Sequence, residues 1–214
     1  AAQVSAGCGL PVVVENDANA AAWGEFRFGA GRAEHSLVMV TVGTGIGGGI
    51  VLRNHLVRGA HGMAAEFGHL GRVPDGRLCG CGKRGCWEQY ASGNALLREA
   101  RELAADQRDR ASLLLSLGDG TPEGVKGKHV TAAARQGDPV ALEAFDHIGR
   151  WLGTGLADVA ALLDPAMFVI GGGVSEAGDL LLLPTRAAFE GSLVACQHRP
   201  LASVVMAELG NDAL

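Results

Sequence analysis

Apolar runs alternate with segments of helical spacing along most of this chain. Runs with the length and composition of buried strands occupy residues 11–15, 36–42, 167–170 and 203–206. Apolar residues at helical spacing occupy residues 17–28, 92–105, 130–136, 139–163 and 180–195. Residues 50–53 and 56–58 flank Asn54-His55, which predicts a hairpin. Strands that alternate with helices, with one hairpin among them, predict the α/β class with a mixed sheet.

The composition is that of a globular protein with an acidic balance. The 214 residues are 48% hydrophobic, and 18 Lys and Arg against 23 Asp and Glu give a net charge of −5. Disorder is excluded by the apolar fraction, and the negative charge argues against binding to nucleic acid or an anionic membrane. The longest uncharged stretch, residues 36–52, is too short and too rich in glycine for a transmembrane helix. With no leader-like start, we expect a cytoplasmic protein.

The cysteines are clustered rather than spread along the chain. Cys79, Cys81 and Cys86 lie close together, and His69 precedes them. A disulfide framework would distribute its cysteines, whereas three thiolates and one imidazole fill the tetrahedral shell of zinc. The alternative is three incidental thiols and an unrelated histidine. Because the shell would be closed, the pattern predicts a structural zinc site, flanked by the carboxylates of Glu66 and Glu88.

Glycine is over-represented, with 33 residues, and two runs follow predicted strands. Within the run 43–49, the spacing of three glycines fits a dinucleotide fingerprint, but a hairpin rather than a helix follows. A Rossmann site is therefore disfavoured, and the run is either a tight hairpin or a turn whose amides hold phosphate. The run 171–173 lies where ligands bind in open α/β sheets, although a plain turn would also explain it.

Asp17 stands between the run 11–15 and the helix that follows. At this position a carboxylate can accept a proton from a substrate hydroxyl, or it can simply cap the helix. Taken alone, an aspartate at this position is more often a helix cap than a base.

Together these segments resemble the ROK family (repressors, open reading frames and sugar kinases), and within it the actinobacterial-type glucokinases. The resemblance extends over nearly the whole chain and rests on five segments: residues 15–21 (ENDANAA), 41–49 (TVGTGIGGG), 66–69 (EFGH), 79–88 (CGCGKRGCWE) and 170–174 (IGGGV).

The resemblance implies an actin-like (ribonuclease H-like) fold and a two-lobed enzyme that phosphorylates the 6-hydroxyl of glucose with ATP and magnesium. It assigns residues 1–35 to the tail of the small lobe, with the catalytic aspartate, and residues 36–214 to the large lobe. Family members carry a further N-terminal segment with a phosphate loop. We therefore expect this chain to be a fragment that is nearly inactive alone, and its parent to form a dimer or tetramer.

The resemblance also implies a role for individual residues. Asp17 corresponds to the catalytic base. The sugar-contacting positions are Asn16, Glu66, His69 and Glu88. The nucleotide-binding positions are Gly43, Thr44, Gly45, Gly171, Gly172 and Gly173. The structural zinc ligands are His69, Cys79, Cys81 and Cys86.

Three other functions are alternatives to the glucokinase interpretation. A sugar-responsive repressor of the same family would share the zinc motif but carry a helix-turn-helix upstream. A kinase for another hexose, such as N-acetylmannosamine, N-acetylglucosamine or fructose, would share most of the sugar site. A stand-alone zinc module would not need the nucleotide-type glycines. Asp17 together with both glycine runs favours the kinase.

Overall fold

The computed structural model describes residues 1–210, which form helices packed on both faces of one sheet. The α-helices are α1 (Ala2–Cys8), α2 (Asp17–Phe28), α3 (Glu88–Ala91), α4 (Gly93–Asp106), α5 (Ser112–Ser116), α6 (Gly127–Arg135), α7 (Pro139–Leu163) and α8 (Asp179–Ser192). The strands are β1 (Leu37–Val42), β2 (Ile46–Leu52), β3 (His55–Leu56), β4 (Met167–Gly171) and β5 (Ser203–Met206). Short 3-10 turns span Phe67–His69, Gly173–Ala177 and Cys196–His198. No helix of this described part is both long and apolar enough to cross a membrane.

The sheet is mixed, as the sequence pattern predicts. Its strand order is β3-β2-β1-β4-β5. Strand β1 pairs in parallel with β4 and antiparallel with β2, and β4 pairs in parallel with β5. Because β1 and β4 run in the same direction, their carboxyl ends lie at one edge of the sheet, where ligands bind in open α/β folds.

Strand β1 is apolar except for Thr41 because both of its faces are covered. Leu37 and Met39 join a core cluster with α2. Val38, Val40 and Val42 point to the opposite face and join the larger core that includes α4, α6, α7 and α8. Side chains that alternate between two buried faces need no polar positions, which explains the continuous run.

One predicted strand is absent. Residues 11–16 are irregular, and the side chains of Val13 and Val14 are 86% and 72% exposed. Strand propensity in this run comes from β-branched residues, but a strand also needs a partner ladder. No strand within residues 1–210 pairs with this segment.

The hairpin is present, but its turn lies one residue earlier than expected. Arg53 and Asn54 have positive φ angles of 49° and 65°, as a two-residue type I′ turn requires. Strand β2 begins at Ile46, so Gly47, Gly48 and Gly49 belong to the strand instead of a loop. A β-carbon on Gly49 would lie 2.4 Å from Ala22 Cβ, and these glycines therefore allow α2 to pack closely on β2.

The long helix α7 supports the segment that carries the cysteine cluster. Its predicted bounds are confirmed, and Asp138 caps it by accepting hydrogen bonds from the amides of Val140 and Ala141. Trp87 is fully buried beside this helix and donates its indole N–H to the carbonyl of Trp151 at 2.8 Å. The following residue, Glu88, is thereby fixed relative to the core.

The fit of Trp87 against α7 predicts a strong effect of one added methyl group. In Gly155→Ala, the new β-carbon would lie 2.1 Å from the Trp87 ring, so we expect the free energy of unfolding to fall by about 1–3 kcal/mol. Gly191→Ala in α8 is the control, since a β-carbon there meets nothing within 4 Å. We expect this control to be neutral or stabilising by up to about 1 kcal/mol. Urea denaturation followed by circular dichroism measures both, and equal stability of the two variants would contradict the packing argument.

Candidate active site

A cleft of about 330 Å³ opens at the edge where β1 ends, and it brings together predicted residues from distant parts of the chain. Its lining includes seven of them: Asn16, Asp17, Gly43, Gly45, Glu66, Glu88 and Gly172. We call it the first cleft. Thr44 and His69 are not among its described lining residues.

Asp17 reaches the first cleft because another residue caps its helix. The cap of α2 is Asn16, whose Oδ1 accepts the amide N–H of Asn19 at 3.1 Å. The expectation that Asp17 might be the cap is therefore wrong. Asp17 Oδ1 accepts the amide N–H of Ala18 at 2.8 Å, which orients the carboxylate at the positive end of the helix. A carboxylate held in this way can accept a proton from a hydroxyl in the cleft.

Glu66 is placed by a short segment that packs tightly on β2. The segment continues into the 3-10 turn Phe67–His69, and Phe67 lies directly over Gly48. Gly68 is equally close, since a β-carbon there would lie 2.3 Å from the carbonyl oxygen of Ile46. This contact leaves the backbone of the segment little freedom and places the exposed Glu66 at the cleft wall.

The glycine turn between β1 and β2 is fastened to the start of α4. Gly43 donates to the carbonyl of Gly45 at 3.0 Å, and its own carbonyl accepts the amide of Gly93 at 2.7 Å. Gly93 is the first residue of α4, which Ser92 caps by accepting the amide N–H of Ala95. Backbone amides in such a turn can bind phosphate oxygens.

The second glycine run separates the first cleft from another. Gly172 follows β4 with φ 84° and ψ 169°, a conformation that is essentially restricted to glycine. A β-carbon on Gly172 would also lie 2.7 Å from the carbonyl oxygen of Val42. Gly173 lines the second cleft, of about 420 Å³, between α4, α6 and the turn Gly173–Ala177. Gly171, the last residue of β4, lines neither of these two clefts but a smaller apolar pocket beside α2.

The histidine and the three cysteines converge as the sequence predicts. One ligand atom from each of His69, Cys79, Cys81 and Cys86 lies within 4.8 Å of all the others. Cys79 Sγ lies 3.6 Å from His69 Nδ1, and Cys81 Sγ lies 3.6 Å from Cys86 Sγ. A tetrahedral zinc ion with ordinary bond lengths places its ligand atoms about 3.5–3.8 Å apart. The two separations of 3.6 Å fall within this range.

The thiols of this cluster differ in acidity. Burial raises the pKa of Cys79 to about 12 and raises the pKa of Cys86 as well. The backbone N–H of Lys83 lowers the pKa of the exposed Cys81. Two of the three sulfurs thus stay protonated at neutral pH unless a cation compensates the charge, and a divalent metal does this.

Glu88 connects the cluster with the first cleft. Its Oε1 accepts from Cys79 Sγ at 2.9 Å and lies 3.9 Å from His69 Nδ1. A β-carbon added to Gly45 would lie only 2.6 Å from the Oε2 of Glu88. One carboxylate therefore touches the cysteine cluster and approaches the glycine turn, so the two features position each other.

Glycine turns, facing carboxylates and the cysteine cluster together reproduce the pattern from which the family resemblance was inferred. The sequence profile of the ROK family matches residues 1–214. The chain belongs to the ROK family. The fold class is also confirmed, because solved ROK structures superpose on the described chain with its actin-like α/β arrangement.

Relatives of both functional kinds occur in the ROK family. The glucokinase of Streptomyces coelicolor is 56% identical over 211 residues, which is 99% of this chain and 67% of that protein. The solved ROK glucokinase of Streptomyces griseus, in complex with glucose and AMPPNP, has 56% identity and a TM-score of 0.94, covering 99% of this chain and 68% of that one. The xylose repressor of Bacillus subtilis is 33% identical over 180 residues, which is 83% of this chain and 42% of that protein. The chain thus spans about two thirds of the length of the glucokinases.

Several residues around the clefts were not predicted from the sequence. Lys128 and Thr131 line the second cleft from one face of α6, and their spacing of three on a helix was a usable signal. Glu15 and Arg58 form an ion pair of 2.6 Å behind the first cleft. No local pattern indicates that pair, because 43 residues separate its members.

The conformation of Gly172 generates a prediction for stability. Gly172→Ala introduces a side chain in a glycine-only conformation against the Val42 carbonyl, and we expect the free energy of unfolding to fall by about 1–3 kcal/mol. Gly173→Ala is the matched neighbour, since a β-carbon there meets nothing within 4 Å. Thermal and urea denaturation compare the two variants. A Gly172→Ala protein as stable as Gly173→Ala would show that the crossing over Val42 is not constrained.

Proposed function

We propose that the whole protein is a glucokinase that transfers the γ-phosphoryl group of ATP to the 6-hydroxyl of glucose. The observation that carries this proposal is the placement of Asp17 in one cleft with the glycine turn and two further carboxylates. Supporting it, the relatives at 56% identity are named glucokinases, and the Streptomyces griseus structure is described with glucose and AMPPNP.

The sugar occupies the first cleft in this proposal. Asn16, Glu66 and Glu88 line it and offer the hydrogen-bond acceptors that sugar hydroxyls need. His69 belongs to the cysteine cluster, and its Nδ1 lies 3.9 Å from Oε1 of Glu88. We assign His69 a sugar contact through the family resemblance. Asp17 accepts the proton of the attacking hydroxyl, which makes the oxygen a better nucleophile as it forms the bond to phosphorus.

The nucleotide bridges the two clefts. The turn formed by Gly43, Thr44 and Gly45 faces the transferred phosphate. The amides of Thr44 and Gly45 hold it, since the Gly43 N–H already donates to the Gly45 carbonyl and shapes the turn. Gly172 lies where the two clefts meet. The nucleoside lies in the second cleft, beside Gly173 and the α6 face with Lys128. Magnesium bound with ATP neutralises charge on the phosphates. The apolar side chains of this cleft suit a nucleotide base, and the Thr131 hydroxyl and Lys128 ammonium groups suit the polar part of the nucleoside. The second cleft therefore completes the proposed nucleotide site.

Zinc is the metal that best fits the cysteine cluster. Three sulfurs and one imidazole nitrogen favour zinc, and their separations match a tetrahedral shell. A closed shell supplies structural stability and leaves no position for a reacting water. A zinc-bound Cys79 is a thiolate and donates no hydrogen bond to Glu88, so order in the cluster reaches the first cleft through the chain, in which Cys86 lies two residues before Glu88.

Four further assignments stay predictions. The division into residues 1–35 and 36–214 follows the family resemblance, and the exposed Val13 and Val14 suit a segment that packs elsewhere. A cytoplasmic location, expected from the sequence, and a dimer or tetramer, implied by the resemblance, also stay predictions. We also predict that the 214-residue chain is nearly inactive by itself. A comparison of its turnover with that of an intact glucokinase tests this.

A sugar-responsive repressor is the second candidate, since xylose repressors of the same family are 33% identical. Asp17, both glycine turns and the second cleft favour the kinase, because a sugar sensor has no use for a phosphate donor site. Kinases for other hexoses share the carboxylates of the first cleft. Parallel assays of phosphoryl transfer with several hexoses and of DNA binding separate these functions.

Replacement of the proposed base tests the reaction. We expect Asp17→Asn to lower kcat by about 10²–10⁴-fold and to change the Kd for glucose little, because the amide keeps the shape but accepts no proton. Asp109→Asn, a change outside both clefts, is the control. Steady-state kinetics with calorimetric glucose binding gives both quantities, and an unchanged kcat in Asp17→Asn would remove the assignment.

Metal analysis tests the zinc proposal. The purified protein should contain zinc in stoichiometric amount, and Cys81→Ser should weaken zinc binding by about tenfold or more. We also expect weaker glucose binding in this variant, because a loosened cluster no longer fixes the chain segment that leads from Cys86 to Glu88. Cys196→Ser, at a half-buried cysteine outside the cluster, is the matched control. Well-folded wild-type protein without zinc would refute the proposal.

A further inference from the structure

Glu15 begins the ENDANAA segment, and it has no role in the site described so far. Its Oε1 accepts the amide N–H of Asn16 at 3.1 Å and the side-chain Nδ2 of Asn19 at 3.1 Å. Its Oε2 accepts Arg58 Nε at 2.6 Å. The guanidinium of Arg58, together with the Asn19 amide, holds the pKa of Glu15 below its ordinary value, so the carboxylate is charged at neutral pH.

The partners of Glu15 belong to two segments, one that lines the first cleft and one that leads to residues lining it. On one side, Asn16 and Asn19 line the cleft from the first turn of α2, next to Asp17. On the other side, the carbonyl of Arg58 accepts the amide N–H of Ala64 at 3.1 Å, which closes the loop between them. That loop leads directly into the wall formed by Ala64, Ala65 and Glu66.

Asn19 shows why the Glu15 carboxylate matters for the α2 wall. The side chain is 3% exposed, and its Oδ1 is buried with no partner within residues 1–210. A carboxylate only accepts hydrogen bonds, so Glu15 holds the Nδ2 end of the amide toward itself. Without Glu15, the amide is free to rotate and satisfy its buried oxygen elsewhere, which changes the surface that the cleft presents.

We infer that Glu15 is a positioning residue for the sugar site: by joining Arg58 to Asn19, it sets the spacing between the α2 wall and the loop wall of the first cleft. The inference rests on the proposed function. Glu15 does not line the cleft and takes no part in phosphoryl transfer. The ion pair is partly exposed, with 55% of the Arg58 side chain and 24% of the Glu15 side chain accessible. Its effect therefore falls on ligand affinity more than on the stability of the fold.

Kinetics of Glu15→Gln, Arg58→Ala and the double variant, each made in the whole protein, test this role. We expect each single variant to raise the KM and the Kd for glucose by about three- to tenfold, the effect of losing one or two hydrogen bonds. We expect kcat and the KM for ATP to stay within about twofold, since the transfer groups are untouched. The double variant should be no worse than the more damaged single variant, because both remove the same interaction. Arg58→Lys should recover part of the affinity.

Salt dependence gives a readout that a purely structural role would not produce. Glucose is neutral, so an effect of salt on its Kd arises from charges of the protein. We expect rising ionic strength to weaken glucose binding to the wild type toward the level of Arg58→Ala, and to leave that variant unchanged.

Arg110→Ala is the matched control, because the Arg110–Glu143 pair has similar exposure, 54% and 31%, and lies outside both clefts. It should leave glucose binding and its salt dependence as in the wild type. An unchanged KM for glucose in Glu15→Gln and Arg58→Ala, or a fall in kcat at constant KM, overturns the inference while the proposed function stands. Wild-type protein that does not bind glucose overturns both.

Discussion

Both clefts depend on the close crossing of Gly172 over the backbone of Val42. Strands β1 and β4 are parallel neighbours, so their carboxyl ends meet at one edge of the sheet. The chain can leave β4 across the end of β1 only without a side chain at Gly172, since a β-carbon there would lie 2.7 Å from the Val42 carbonyl oxygen. This crossing places the two glycine turns side by side, with one cleft on either side of them. A polyphosphate that spans the clefts then meets backbone amides where its charge is greatest.

Around this crossing, the acidic side of the site is organised from the core outward. Trp87 is fully buried against α7, and the next residue in the chain is Glu88. The cysteine cluster restrains the same carboxylate from the other side, because Cys86 lies two residues before it in the chain and His69 Nδ1 lies 3.9 Å from its Oε1. A loop with many glycines and charged residues cannot hold a carboxylate by packing, so the tryptophan and the cluster fix it at two points.

The sequence predicts best what is encoded locally. The bounds of α7 follow from its Asp138-Pro139 start and its apolar spacing, and the His69–Cys86 cluster follows from its spacing alone. Errors arise where a partner decides the outcome. Residues 11–15 have strand composition but no pairing strand within the described chain, and Gly47–Gly49 enter a strand because α2 and Phe67 require close approach. The Glu15–Arg58 pair is formed between segments that come together only in the folded chain, and no period or spacing reveals it.

The walls of the first cleft differ in strength in a way that suits ligand entry. The glycine turn and Glu88 are held by backbone hydrogen bonds, a buried ring and the cysteine cluster, so the phosphate end of the cleft is rigid. The loop of residues 58–64, which leads to the tightly packed segment at Glu66, is joined to α2 through a partly exposed ion pair that solvent screens and that opens at small cost. Rigid placement favours in-line transfer, whereas a weak connection lets this loop shift as the sugar enters. The same chain thus combines a fixed donor site with an adjustable acceptor site, and the charge on Glu15 sets how tightly the adjustable side closes.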